Sequence, residues 1–144
     1  MPSDITALAR RWFEEVWNRR NVNAIGEMLA ADGVIHGLGE NGRVLSGPEA
    51  FRPFHEKFVG AFPDIRITVD DVVAEGDRCA IRFTCEGTHR GGQLGVPPTN
   101  RRVRFTAMAF MRVRDGQIVE GWNEIDGVGL MQQLTGPAPA KLYA

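Results

Sequence analysis

Apolar residues recur every three or four positions through the first third of the chain and every second position through its latter half. In residues 3–20, Ile5, Leu8, Trp12 and Val16 fall on one stripe with Ala9, Phe13 and Trp17 beside it, which predicts an amphipathic helix with Ser3 as its N-cap. A shorter helix is expected over 22–31, with Val22, Ile25, Met28 and Leu29 inward, then a short strand in "GVIHG" and a Gly-rich loop. "SGPE" at 46–49 fits a capping box, Ser46 with Glu49, and Pro48 suits a first turn. The helix it opens presents Phe51, Phe54, Phe58 and Phe62, carries Pro53 as a potential kink, and ends at "FPD".

From residue 65 the period becomes two. Segments 65–74, 78–88, 102–113 and 117–125 predict four strands, with Asp115-Gly116 a hairpin turn and "HRGGQLGVPPTNRR" a long loop. Helices bunched ahead of sequential antiparallel strands predict an α+β domain over 1–136, leaving 137–144 as a loose tail.

Alternation also assigns faces. Cys79, Ile81, Phe83 and Cys85 share one side of their strand; Val103, Phe105, Ala107, Ala109 and Met111 share one side of the next. On the last strand the inward set is expected to be Val119, Gly121, Asn123 and Ile125, and the outward set Ile118, Glu120, Trp122 and Glu124. Met108, Phe110, Ile118 and Trp122 then form an apolar outer patch, for which the expected cover is a second copy of the chain.

Composition narrows the function classes. The 144 residues carry 17 basic and 18 acidic side chains, giving a net charge of −1 and no basic excess for nucleic acid. No apolar run reaches the ~20 residues of a membrane span, and the charged N-terminus does not read as a signal peptide. Cys79 and Cys85 lie about 20 Å apart along one predicted strand, too far to bridge. Unpaired cysteines without an export signal predict a cytoplasmic protein. No Cys/His spacing matches a metal site, and no phosphate loop follows a strand.

The segments "WFEEVWNRRNVNAIGEMLAADGVIHG", "EGTH…GVPPT" and "DGQIVEGWNEIDGVGLMQQL" resemble the SnoaL-like polyketide cyclases of the nuclear-transport-factor-2-like superfamily, and the likeness covers most of the chain. It implies a conical fold, a curved antiparallel sheet wrapped around three helices and enclosing a pocket. It also implies cofactor-free acid/base chemistry beside a carbonyl, of cyclase, isomerase or hydrolase type, or else a non-catalytic binding or interaction module. In the cyclases a carboxylate follows the tryptophan of the last strand, assisted by a histidine on the preceding strand. Those positions are Asn123 and Ala109 here, and neither residue exchanges protons. The general base of the related steroid isomerases falls near Gly37, their oxyanion-hole carboxyl falls near Ala109, and the Asp-Arg-Asp set of the epoxide hydrolases finds no place.

The remaining candidates each have two readings. Asn123 either orients a substrate oxygen or is a buried amide bonded to backbone. Asp126 is either a pocket acid or, the favoured reading, the N-cap of a final short helix. His89 and His36 are potential bases beside the pocket, or ordinary loop and strand-end histidines. His55 is expected at the solvent edge of the Phe-rich helix. The pocket wall is expected to comprise Trp17, Phe58, Phe83, Phe105, Ala107, Ala109, Met111, Val119 and Gly121, although Trp12, Trp17 and the phenylalanines read first as core. The expected ligand is a small hydrophobic molecule; no cofactor, metal, nucleic acid or membrane partner is expected.

Overall fold

The computed structural model describes residues 4–136, so the expected cap at Ser3 and the tail at 137–144 lie outside the described residues. Helix α1 (Asp4–Arg11) runs on as a π-helical segment, Trp12–Asn18, followed by α2 (Val22–Met28), β1 (Leu29–His36), a single 3-10 turn (Glu40–Gly42), β2 (Leu45–Ser46) and α3 (Gly47–Ala61). Strands β3 (Arg66–Glu75), β4 (Arg78–Thr88), β5 (Arg102–Arg114) and β6 (Gln117–Ile125) form the meander, and α4 (Gly127–Thr135) closes the chain. The order across the curved sheet is β2-β1-β6-β5-β4-β3. This is the α+β cone expected from the sequence, with two additions: the short β2 forms within the expected Gly-rich loop, and β1 pairs with β6 in parallel, whereas the other neighbours are antiparallel.

The core sits between the concave sheet face and the helices. Ala9, Val16, Ala24, Ile25, Leu29, Phe51 and Phe62 are almost wholly excluded from solvent. They pack against the inward residues of β4 and β5, Cys79 through Cys85 and Val103 through Met111 in alternation. Asp115 and Gly116 both adopt positive φ (53° and 74°), the backbone of the two-residue hairpin that Asp-Gly favours.

Four local expectations are corrected. The second helix stops at Met28, because Leu29 already belongs to β1, which is eight residues long. Ser46 makes no capping hydrogen bond, and Glu49 pairs with Arg52 at 2.9 Å instead. Ile118, expected outside, is buried, and Val119, expected inside, is only half-buried. The cause is a bulge: Val113 pairs with Ile118 but Arg112 pairs with Glu120, so Val119 is an extra residue that reverses the alternation. Finally, His55 is not at a solvent edge but buried, 3% exposed.

The burial of His55 has a local explanation. The π-helical segment closes with Arg19 N–H donating to the Glu14 carbonyl and Asn21 N–H to the Glu15 carbonyl. The Val16 carbonyl at this helix end is taken by the His55 ring, with Nε2 2.7 Å away, so Nε2–H donates across from α3. Burial lowers the pKa of His55, outweighing the carbonyl bond that favours its cation. The unfolded chain therefore binds the proton more readily than the folded one, and stability rises with pH through this window. Stability from His55 is expected to be complete above about pH 6.5, the ordinary histidine pKa, and lost progressively below it. Denaturation midpoints measured from pH 5 to 8 should show this slope. In His55→Gln the slope should vanish; an unchanged slope would assign the pH dependence to other groups.

Candidate functional site

A cavity of about 60 Å³ lies between the helices and the concave sheet face. Trp12, Phe13 and Trp17 from the first helix and Phe51, Phe54 and Phe58 from α3 form its aromatic wall. Ile35, Ala109, Met111, Ile118 and Gly121 form the sheet-side floor, with Phe83, Cys85 and Phe105 at one flank. The wall residues Leu38, Phe54, Phe58, Asn123 and Ile125 are half-buried, which places the mouth among them. This free volume is less than half that of the ~150 Å³ engineered apolar cavity that takes up benzene. A ring-sized ligand requires the half-buried phenylalanines at the mouth to move.

Of the expected wall, Trp17, Phe58, Phe83, Phe105, Ala109, Met111 and Gly121 line the cavity. Val119 does not, because the bulge puts Ile118 in its place, and Ala107 is buried one register step beyond, opposite Ile125. Sequence reasoning missed the contributions of Ile35 and Leu38, which come from the β1 end brought alongside β6.

The expected proton carriers are not brought to this cavity. Asp126 is exposed and caps α4, accepting the Gly129 N–H at 2.9 Å. His89 is neither a rim group nor a loop histidine in solvent but is fully buried. Its Nδ1 accepts the Thr99 N–H at 3.1 Å, and Nε2 has no hydrogen-bond partner. Together with backbone bonds from His89 N–H to the Arg101 carbonyl and from Asn100 N–H to the His89 carbonyl, it staples the base of the 90–100 loop. His36 lies on the convex face, with Nε2 2.8 Å from Glu120 Oε2 and its ring stacked on Trp122 at 5.2 Å. Glu120 also receives Arg112 at 2.8 Å, and these two bonds hold its carboxyl below the usual glutamate range, Arg112 contributing most.

Asn123 does reach the cavity, as the parity of the last strand predicted. Its Nδ2 donates to the His36 carbonyl at 3.5 Å, the outer limit of a hydrogen bond. An amide offers two N–H hydrogens and an acceptor oxygen, so most of this capacity remains for a ligand. Ala109 of β5 is the direct register partner of Asn123 on β6. Gly37 follows β1 with φ of +89°, and a Cβ there would lie 2.0 Å from the Asn123 carbonyl oxygen. A base at residue 37 is therefore sterically excluded. Burial pushes the thiol of Cys85, the one ionisable group on the wall, up to about 12, so it stays protonated at neutral pH. Among the described residues no group of three or more His, Cys, Asp or Glu side chains gathers as a metal site, and no helix is long and apolar enough to cross a membrane.

A conical α+β sheet folded over an aromatic-walled cavity, with the residue after the last-strand tryptophan at its mouth, defines the class. The chain belongs to the SnoaL-like polyketide cyclase family, whose model matches residues 7–134. It is 27% identical over 134 residues to the aklanonic acid methyl ester cyclase DnrD of Streptomyces peucetius, covering 92% of this chain and 91% of the relative. Among solved structures it is similar to IdmH of Streptomyces antibioticus, at 34% identity and a TM-score of 0.78 over 90% of this chain and 96% of that one. It is also similar to TsrD of Streptomyces laurentii, at 25% identity and a TM-score of 0.82 over 95% and 98% of the two chains.

Proposed function

We propose that this chain holds a small, largely apolar, carbonyl-bearing molecule of polyketide type inside the cone, and acts on it through shape and one amide rather than through proton exchange. The observation that carries this reading is the cavity wall. It contains Asn123 and no carboxylate or histidine. Small-molecule sites are mostly apolar with a few polar groups that fix orientation, and Asn123 fills that role by donating an N–H to a carbonyl oxygen. A ligand pair of matched shape tests it, 2-acetylnaphthalene against 2-ethylnaphthalene, followed by quenching of Trp12 and Trp17 fluorescence. The ketone is expected to bind about tenfold more tightly, the worth of one hydrogen bond. Asn123→Leu should erase that preference while still binding the hydrocarbon. Equal affinity of both probes for the wild type would sink the reading.

A second reading, ring closure, is favoured by the cyclase named among the relatives. Here the Asn123 amide donates to the oxygen on which negative charge develops, and protons move between ligand and water. Losing such a donor costs about 10²–10³ in rate. If instead Asn123→Asp gained cyclase activity from an inactive parent, the chain would be a binder that lacks the family's carboxylate.

A further inference from the structure

We propose that His36, on the convex face of the sheet, is a positioning residue for the Asn123 amide inside the cavity. This rests on the ligand-binding reading above and goes one step behind it, to what holds the amide in place. The parallel pairing of β1 with β6 sets Ile35 opposite Gly121 and His36 opposite Trp122. Ile35 faces the cavity, so the His36 ring faces outward, while its backbone carbonyl receives Nδ2 of Asn123. One residue thus meets the outer cluster with its side chain and the inner amide with its main chain.

The end of β1 is pinned from outside. The His36 ring is bonded to Glu120 of β6 at 2.8 Å, and Glu120 is bonded to Arg112 of β5 at 2.8 Å. The ring also lies nearly parallel to Trp122, at 14°. At Gly37 the chain passes so close to the Asn123 backbone that no Cβ fits. The His36 carbonyl therefore has little freedom while the ring is held. At 3.5 Å the bond to Asn123 stands at its limit. A shift of a few tenths of an ångström decides whether the amide leans on the protein or turns elsewhere, which makes its direction sensitive to the outer pin.

The same two naphthalene probes test the proposal. In His36→Ala the roughly tenfold preference for 2-acetylnaphthalene should fall to about twofold, with the affinity for 2-ethylnaphthalene unchanged. His36→Gln, which can still donate to Glu120, should retain most of the preference. In an Asn123→Leu background, His36→Ala should have no further effect on discrimination, because the two residues act as one unit. Should His36→Ala fail to fold, Arg112→Met loosens the same pin from β5 and is expected to lower the preference in the same direction. Full ketone preference in the soluble variants would overturn the proposal. So would equal weakening of both probes with a lowered melting temperature, the mark of a purely structural role. A wild type that fails to discriminate the probes overturns the ligand-binding reading and this proposal with it, whereas a wild type that discriminates isolates the result to His36.

Discussion

Ala109→Phe is expected to abolish binding of both naphthalene probes while leaving the fold intact. Ala109 is buried on the inner face of β5, between Ile81 of β4 and Asn123 of β6, and its methyl group forms part of the cavity floor. The free volume above it is only about 60 Å³, so a phenyl ring in its place occupies the space the ligand needs. Overpacking of this kind costs about 1–3 kcal/mol, a few degrees of melting temperature per kcal/mol in a chain of this size. Circular dichroism should show the native signal and fluorescence titration no saturable quenching. Ala109→Val separates the two effects, since it narrows the floor with little strain and should weaken binding only in part. Retained wild-type affinity in Ala109→Phe would move the site out of the cone.

The strands and their faces were legible because a half-buried sheet writes its burial into every second residue. Alternation along β4 and β5 assigned the inward residues from Cys79 to Met111, and the structure buries them. The same rule assigned Asn123 inward, and the assignment holds because the residues from Glu120 to Ile125 pair without interruption beyond the bulge. It misassigned Ile118 and Val119 because the extra residue of the bulge reverses the alternation on their side. The adjacent apolar pair Ile118-Val119, breaking the alternation, was the available signal. The parallel contact of β1 with β6 joins residues more than eighty positions apart, and nothing local encodes it. That contact carries Ile35 to the cavity and His36 to the convex face, so the histidine's role was unreadable. His55 and His89 were misplaced for a related reason. His55 bonds to the Val16 carbonyl of another helix and His89 to Thr99 across its loop, and a polar residue is readable as buried only when its partner is known.

The convex face supports the last prediction. We propose that a second copy of the chain covers this patch in a two-fold homodimer, so that Trp122→Glu is expected to halve the mass seen in light scattering at micromolar concentration. Met108, Phe110 and Trp122 remain 58%, 39% and 38% exposed, and Phe110 and Trp122 meet edge-on at 5.7 Å. The patch is smaller than the sequence suggested, because Ile118 turned inward, yet it stays contiguous across β5 and β6. Its border alternates in sign: Arg82, Arg104 and Arg112 stand among Glu86, Glu120 and Glu124. A two-fold axis places this mixed-sign surface, whose charges already pair within one copy as Arg112–Glu120 and Arg82–Asp71, against itself without bringing an excess of one sign together. A partner of one dominant charge would match only half of this border, which favours a second copy of the chain. A stable interface of standard size buries about 800 Å² per partner, so the interface would have to extend beyond Met108, Phe110 and Trp122 onto the neighbouring strands. A carboxylate at 122 would be buried beside Glu120 without a counter-charge of its own, a cost of several kcal/mol. Thr106→Glu, outside the aromatic cluster, should leave the mass less affected. A wild type of monomer mass, or a Trp122→Glu variant of unchanged mass, would show that this face does not pair with its own copy.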